Sequence, residues 1–215
     1  MNRTAFASRL FCIALVIAID SPFAAPAACP VLTLIRKNYC PATALETRLS
    51  QTIYWSVREK EEKNSGSVVL APDDCFRVMV GNETWVSNGI TLWTFNSKAN
   101  QVVVRKLADV DPALLPTHLF AAYFATLPFR EQKRAEGGTT ELLWKSDSVA
   151  KTGPPYTSIR IWATANGCIT KCVLTDRSDN LFTYSFTGTV FGKKAPKETF
   201  DFVIPKSARV VDSQK

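Results

Sequence analysis

Histidine is almost missing from this chain of 215 residues, where His118 stands alone. Acyl transfer by a Ser-His-Asp or Cys-His device needs a base held beside its nucleophile. A single histidine on an apolar helical pattern fits packing better than proton transfer, so an envelope hydrolase is disfavoured. The sequence also lacks a glycine-rich phosphate loop, an HExxH motif and a dinucleotide fingerprint. Asp73 and Asp74 are adjacent, so their carboxylates diverge in a turn or strand and suit a capped turn rather than a catalytic pair. Apolar runs stay short of the roughly twenty residues that a membrane-spanning helix requires. The formal charge of +7 is spread along the chain and never forms a block. That spread favours an acidic partner or anionic lipid weakly, and nucleic acid hardly at all. Repeats and low-complexity tracts are likewise lacking, and nothing here asks for a metal or a cofactor.

The N-terminus carries the three zones of a secretory signal: Arg3 and Arg9, the apolar run Leu10–Ile19, then small residues from Phe23 to Ala28. Ala25-Pro26-Ala27 places cleavage after Ala27, which leaves residues 28–215 as a single exported domain. Cys29 follows at once, and a cysteine in that place can be acylated. Lipid attachment favours an aliphatic residue three positions earlier, where Pro26 stands, so an early structural cysteine is the stronger of the two readings. In an oxidising compartment Cys29, Cys40, Cys75, Cys168 and Cys172 are disulfide candidates, with one left over. Cys168 and Cys172 do not suit each other if they lie on a strand, because four residues span about 13 Å and a disulfide needs Cα atoms within about 7 Å.

Leu32, Ile35, Tyr39, Leu45 and Leu49 recur at spacings of three and four, broken by Pro41, which predicts two short helices or a kinked one over Leu32–Ser50. The period then changes to two at Ile53, Trp55 and Val57, with Lys60–Gly66 as the following turn. Short strands are expected at Ser67–Leu70, Cys75–Val80, Thr84–Ser87, Ile90–Phe95, Gln101–Lys106, Thr140–Lys145, Thr157–Thr164, Ile169–Thr175, Leu181–Val190 and Phe200–Ile204. Asn88-Gly89 and Asn166-Gly167 are hairpin signals. The interruption at Ala108–Leu127 has helical spacing and is broken by Pro116, so two short helical pieces should cross the sheet. The fold class is mainly β: one large antiparallel sheet, curled or nearly closed, with short helical pieces lying across it.

The chain holds thirteen Phe, five Trp and five Tyr, many of them on these strands, and several strands are apolar on both faces. A thick core accounts for this in the plain case. The functional alternative is a cavity between sheet and helices that takes apolar ligands. Side-chain parity groups Ile53, Trp55 and Val57, then Phe76, Val78 and Val80, then Ile159 and Ile161, with Leu114, Leu115 and Leu119 from the capping segment. The inward face of Ile90–Phe95 is undecided, so Leu92, Trp93 and Phe95 form one cluster.

The stretches Ser65-Gly66-Ser67-Val68-Val69-Leu70-Ala71-Pro72-Asp73-Asp74-Cys75-Phe76-Arg77 and Val86-Ser87-Asn88-Gly89-Ile90-Thr91-Leu92-Trp93-Thr94-Phe95-Asn96 stand in a telling order. Asp111-Pro112-Ala113-Leu114-Leu115 and Phe200-Asp201-Phe202-Val203-Ile204-Pro205 follow at matching intervals. The whole pattern resembles the outer-membrane lipoprotein carrier (LolA) family over essentially the entire exported domain. The resemblance implies an unclosed barrel with a helical lid, acting as a periplasmic monomer without cofactor. It further implies that acylated lipoproteins are received from an inner-membrane release machinery and handed to an outer-membrane acceptor. A lipid-sensing regulatory module of the same fold, or an acceptor anchored through Cys29, is the rival reading. The family's usual arginine before the proline, which fastens the lid, is replaced by Ala71. Arg77 and Arg105 are the alternative latch candidates.

Overall fold

The computed structural model describes residues 29–40, 43–111, 115–117, 127–134, 136–146 and 156–212. The expected signal segment, Leu114, His118, Leu119 and the Gly153-Pro154-Pro155 loop lie outside these residues.

A helix α1 (Pro30–Asn38) opens the domain, with proline in its first turn and Arg36 and Lys37 in its last, where cations suit the carbonyl end. The strands follow as β1 (Leu45–Trp55), β2 (Lys60–Leu70), β3 (Cys75–Val80), β4 (Glu83–Asn88), β5 (Thr91–Asn96) and β6 (Gln101–Lys106). After the connection come β7 (Arg130–Arg134), β8 (Thr140–Lys145), β9 (Tyr156–Ala163), β10 (Ile169–Asp176), β11 (Leu181–Phe191) and β12 (Arg209–Asp212). They form one sheet in the order β12-β6-β5-β4-β3-β2-β1-β11-β10-β9-β8-β7. Every neighbouring pair is antiparallel except β12, which adds to β6 in parallel. β7 and β12 occupy the two ends of that order without pairing to each other, so the sheet stays unclosed.

The alternation of side chains decides which face is concave. In β8 Thr140, Leu142 and Trp144 are buried, and in β9 Ile159, Ile161 and Ala163 are buried, while the residues between them are more exposed. A main core gathers these residues with Leu45 and Leu49 of β1, Phe76 of β3, Leu92 of β5 and the inner face of α1, Leu32 and Ile35. The helix docks on the β9–β10 turn. Asn38 donates to the carbonyl of Asn166 at 2.9 Å, and the Tyr39 hydroxyl accepts the Ile169 amide at 3.0 Å. Gly167 makes that approach possible: a Cβ there would lie 2.6 Å from Leu34, and its φ of +75° is left-handed.

Several sequence expectations are corrected. Leu45 and Leu49 belong to β1, not to a helix; with Thr47 buried between them they fit a period of two, which a spacing of four cannot distinguish from a helical turn. The β1–β2 turn is the short 3-10 segment Ser56–Arg58 closed by left-handed Glu59, so the charged stretch from Lys60 is strand rather than turn. Val57 therefore leaves the strand and is 89% exposed. Phe200 ends a 3-10 turn (Lys197–Phe200) instead of starting a strand, and the closing strand is β12 further on. The short, highly charged strand β7 (Arg130–Arg134) carries no apolar alternation that would announce it. Of the expected helical interruption, Leu107–Asp109 forms a 3-10 turn.

Candidate functional site

The register shifts at a few strand ends but is unbroken between them, so side chains of the concave face form rows across the strands. One row runs Leu142, Ile161, Cys172, Tyr184, Gln51, Asn64 from β8 to β2. The next runs Trp144, Ile159, Leu174, Phe182, Ile53, Glu62. On the other side of β2, Val78 pairs with Trp85, and Val80 pairs with Glu83, which pairs with Asn96. Each row thus passes from an apolar half on β8–β11 to a polar end on β2.

Residues from these rows line an open cavity of about 640 Å³. Its floor is Leu49, Val68, Leu70, Val78, Val80, Ile159, Ile161, Cys172, Leu174 and Phe186. Its mouth holds Gln51, Glu62, Asn64, Asn82, Glu83, Asn96 and Lys98. Volumes of roughly 300–1,000 Å³ with apolar walls and a few placed polar groups are those of small-molecule sites. Burial pushes the Cys172 thiol up to about 12, so it stays a neutral part of the wall. The Tyr184 hydroxyl is also raised, by burial first, and remains protonated. Asn64 donates to Gln51 at 3.1 Å, and Gln51 donates to the Tyr184 hydroxyl at 3.3 Å.

Of the residues grouped by parity, Val78, Val80, Ile159 and Ile161 line the cavity. Phe76 and Leu92 lie on the same face but are buried in the core. Ile53 shares the row of Phe182, and Trp55 packs edge-on against Phe182 at 6.1 Å, beyond the cavity lining. Val57 is outside the site. Leu115 is 3% exposed and belongs to the core, while the neighbouring Pro116 touches the cavity.

Trp93 and Phe95 need correction because they point to the convex face. There they meet Phe202 at ring distances of 6.5 and 5.9 Å. Val86, Val102, Val104 and Phe200 are buried with them, a second small core beneath the chain segment after Lys197. The convex face of β4–β6 is therefore packed, while on the concave face Leu92 is buried and Glu83, Trp85 and Asn96 border the cavity, so β5 carries apolar residues on both faces. Arg77 belongs to this convex face too. Its guanidinium donates to the carbonyls of Thr199 at 2.7 Å and Asp201 at 3.1 Å, so it fastens the C-terminal segment and not a lid. Arg105 shares the concave face with Leu92 but is exposed.

A different contact ties residues 115–117 of the connection between β6 and β7 to the sheet. Thr117, 4% exposed, donates its hydroxyl to the Asp74 carboxylate at 2.6 Å. Asp74 sits on the β2–β3 turn, three residues beyond Ala71, the position where the resemblance implies an arginine. The sequence assigns Asp73-Asp74 only to a capped turn, since no spacing rule links a turn aspartate to a threonine over forty residues away. Cys40, Cys75, Cys168 and Cys172 carry free thiols in this structure. Cys168 ends the turn before β10, and Cys172 lies in the cavity wall. No group of three or more possible metal ligands occurs among the described residues.

Among solved structures, a conserved protein of Thermus thermophilus described as uncharacterized shares the fold: 14% identity, 85% of this chain and 96% of that one, TM-score 0.52. A LolA superfamily protein of Nitrosomonas europaea is similar at 11% identity, over 80% of this chain and 96% of that one, with a TM-score of 0.42. LprF of Mycobacterium bovis is similar at 11% identity, over 83% and 97%, with a TM-score of 0.44. No protein-family model and no curated protein sequence matches the chain. The architecture itself, a single unclosed, mainly antiparallel sheet with a short helix packed on it, is the one the sequence leads one to expect.

Proposed function

We propose that the chain is a periplasmic carrier that shelters the acyl chains of lipoproteins in its concave cavity during transfer from the inner to the outer membrane. The observation that carries this reading is the open volume of about 640 Å³ over an apolar floor, in a sheet whose opposite face is packed over β4–β6. Each CH₂ moved from water into that floor gains about 0.8 kcal/mol. The gain is offset by displacing the capping segment that Thr117 and Asp74 hold. A carrier needs these opposing contributions nearly balanced, so that cargo can leave as well as enter. No covalent chemistry is asked of the site. Supply by an inner-membrane release machinery and delivery to an outer-membrane acceptor follow from the sequence resemblance.

The test uses an apolar fluorescent probe. It should bind the exported domain and be displaced by a synthetic triacylated peptide but not by the same peptide without acyl chains. Ile161→Glu, which places a charge on the floor, should abolish probe binding. Failure of the probe to bind, or equal displacement by both peptides, contradicts the carrier reading.

A further inference from the structure

We infer that Tyr184 is the polar anchor of the cavity: a hydrogen-bond donor to the carbonyl oxygen of a neutral acyl ester, which fixes the depth at which an acylated ligand sits. This rests on the acyl-binding reading above and adds to it a named recognition group and a preference within acyl ligands.

Three observations support the assignment. First, Tyr184 stands at the boundary in its row: Cys172, Ile161 and Leu142 extend to one side and Gln51 and Asn64 to the other. A ligand whose chain lies on the apolar side therefore brings the root of that chain to the phenol. Second, the hydrogen-bond directions are ordered. Asn64 donates to Gln51, and the Gln51 amide donates to the Tyr184 oxygen, so that oxygen is already an acceptor and its own proton is left to be donated elsewhere. Bonds in such a chain polarise one another, which makes the terminal hydroxyl a better donor. Burial and the neighbouring Cys172 raise the phenol above its usual range, so the donor persists throughout the physiological pH range.

Third, the charges at the mouth discriminate among carbonyl-bearing ligands. Among the described residues that line the cavity, Glu62 and Glu83 stand there against the ammonium of Lys98. Glu83 accepts the amide of Asn96, which holds its carboxylate in place. A free fatty carboxylate meets net negative charge at this rim, whereas an ester offers the same carbonyl acceptor without charge. The ligand class is accordingly the neutral acyl ester, as in an acylglycerol group, rather than a fatty acid or a bare hydrocarbon.

The experiment measures competition against the apolar probe for three ligands of equal chain length: a long-chain methyl ester, the corresponding fatty acid at pH 8, and the alkane. Wild type should prefer the ester over both. Tyr184→Phe, which keeps the ring, should weaken the ester by about three- to tenfold, the range expected for one neutral hydrogen bond, and leave the alkane and the probe unchanged. Gln51→Leu should give a smaller loss of the same kind, and Glu62→Gln should strengthen fatty-acid binding. Tyr184→Phe with unaltered ester affinity and intact probe binding overturns the inference while the carrier reading stands. Loss of probe binding already in wild type overturns the carrier reading itself.

Discussion

Thr117→Val removes one hydroxyl from the capping segment and leaves the shape of the side chain nearly unchanged. The lost bond is a short one, 2.6 Å from Thr117 to the Asp74 carboxylate, with the donor only 4% exposed. Hydrogen bonds to charged partners contribute about 1.5–3 kcal/mol. Asp74 lies on an outer turn where water can replace the hydroxyl, so the lower end, about 1.5 kcal/mol, applies. Since about 1.4 kcal/mol is tenfold in an equilibrium, the fraction with the cap displaced should rise about tenfold. In stopped-flow mixing with the apolar probe, the association rate should increase by about that factor. Thermal denaturation should shift down by about 3–6 °C, as a loss of this size gives in a domain of 150–250 residues. Asp74→Asn keeps a neutral acceptor and should produce a smaller effect in the same direction. A lower melting temperature with an unchanged or slower association rate would refute the gating role and leave the bond as a support of the turn alone.

Arg77→Met removes two charge-assisted bonds to the Thr199 and Asp201 carbonyls. It should cost about 2 kcal/mol in denaturant unfolding and speed proteolysis between residues 196 and 205, with probe affinity unchanged. Gly66→Ala would set a Cβ 1.7 Å from the Met79 carbonyl oxygen, a backbone clash that should destabilise by more than about 3 kcal/mol. For Cys172, the folded thiol titrates at about 12 and the ordinary value is 9.0. Between those values the unfolded chain releases a proton that the folded chain keeps, so stability should fall by up to about 1.4 kcal/mol per pH unit as pH rises. Cys172→Ala should flatten part of that decline in alkaline denaturation, with the rest set by Tyr39 and Tyr184, whose buried hydroxyls shift upward as well.

The strands are legible where short β-prone runs stand between turn residues: Cys75–Val80, Gln101–Lys106 and Thr140–Lys145 lie where these runs put them. The misplacements have separate physical origins. Leu45 and Leu49 satisfy helix and strand spacing equally, and Lys60–Asn64 is polar on both faces because the β1–β2 hairpin projects into solvent. Strand β12 pairs in parallel with a partner about one hundred residues earlier, which no local pattern encodes. Within the site, the apolar floor residues Ile159 and Ile161 follow from parity. The orientation of Trp93 and Phe95 does not, because β5 carries large apolar residues on both faces, Leu92 on one and Trp93 and Phe95 on the other, so parity alone does not mark the outside. Gln51, Asn64 and Tyr184 give no signal for the opposite reason. Polar residues on a strand suggest an outer face, and only the register shows them entering the cavity.

The central claim is that acyl chains occupy the concave cavity, and site-specific photo-crosslinking tests it most directly. A photoreactive residue at position 161, on the cavity floor, is compared with one at position 57, on the exposed β1–β2 turn. Each is mixed with an acylated lipoprotein and with its deacylated form. The carrier account predicts a crosslink to the acyl moiety at position 161, none at position 57, and loss of the product with the deacylated form. Equal crosslinking at both positions, or a product at 161 that does not depend on the acyl chains, would contradict it.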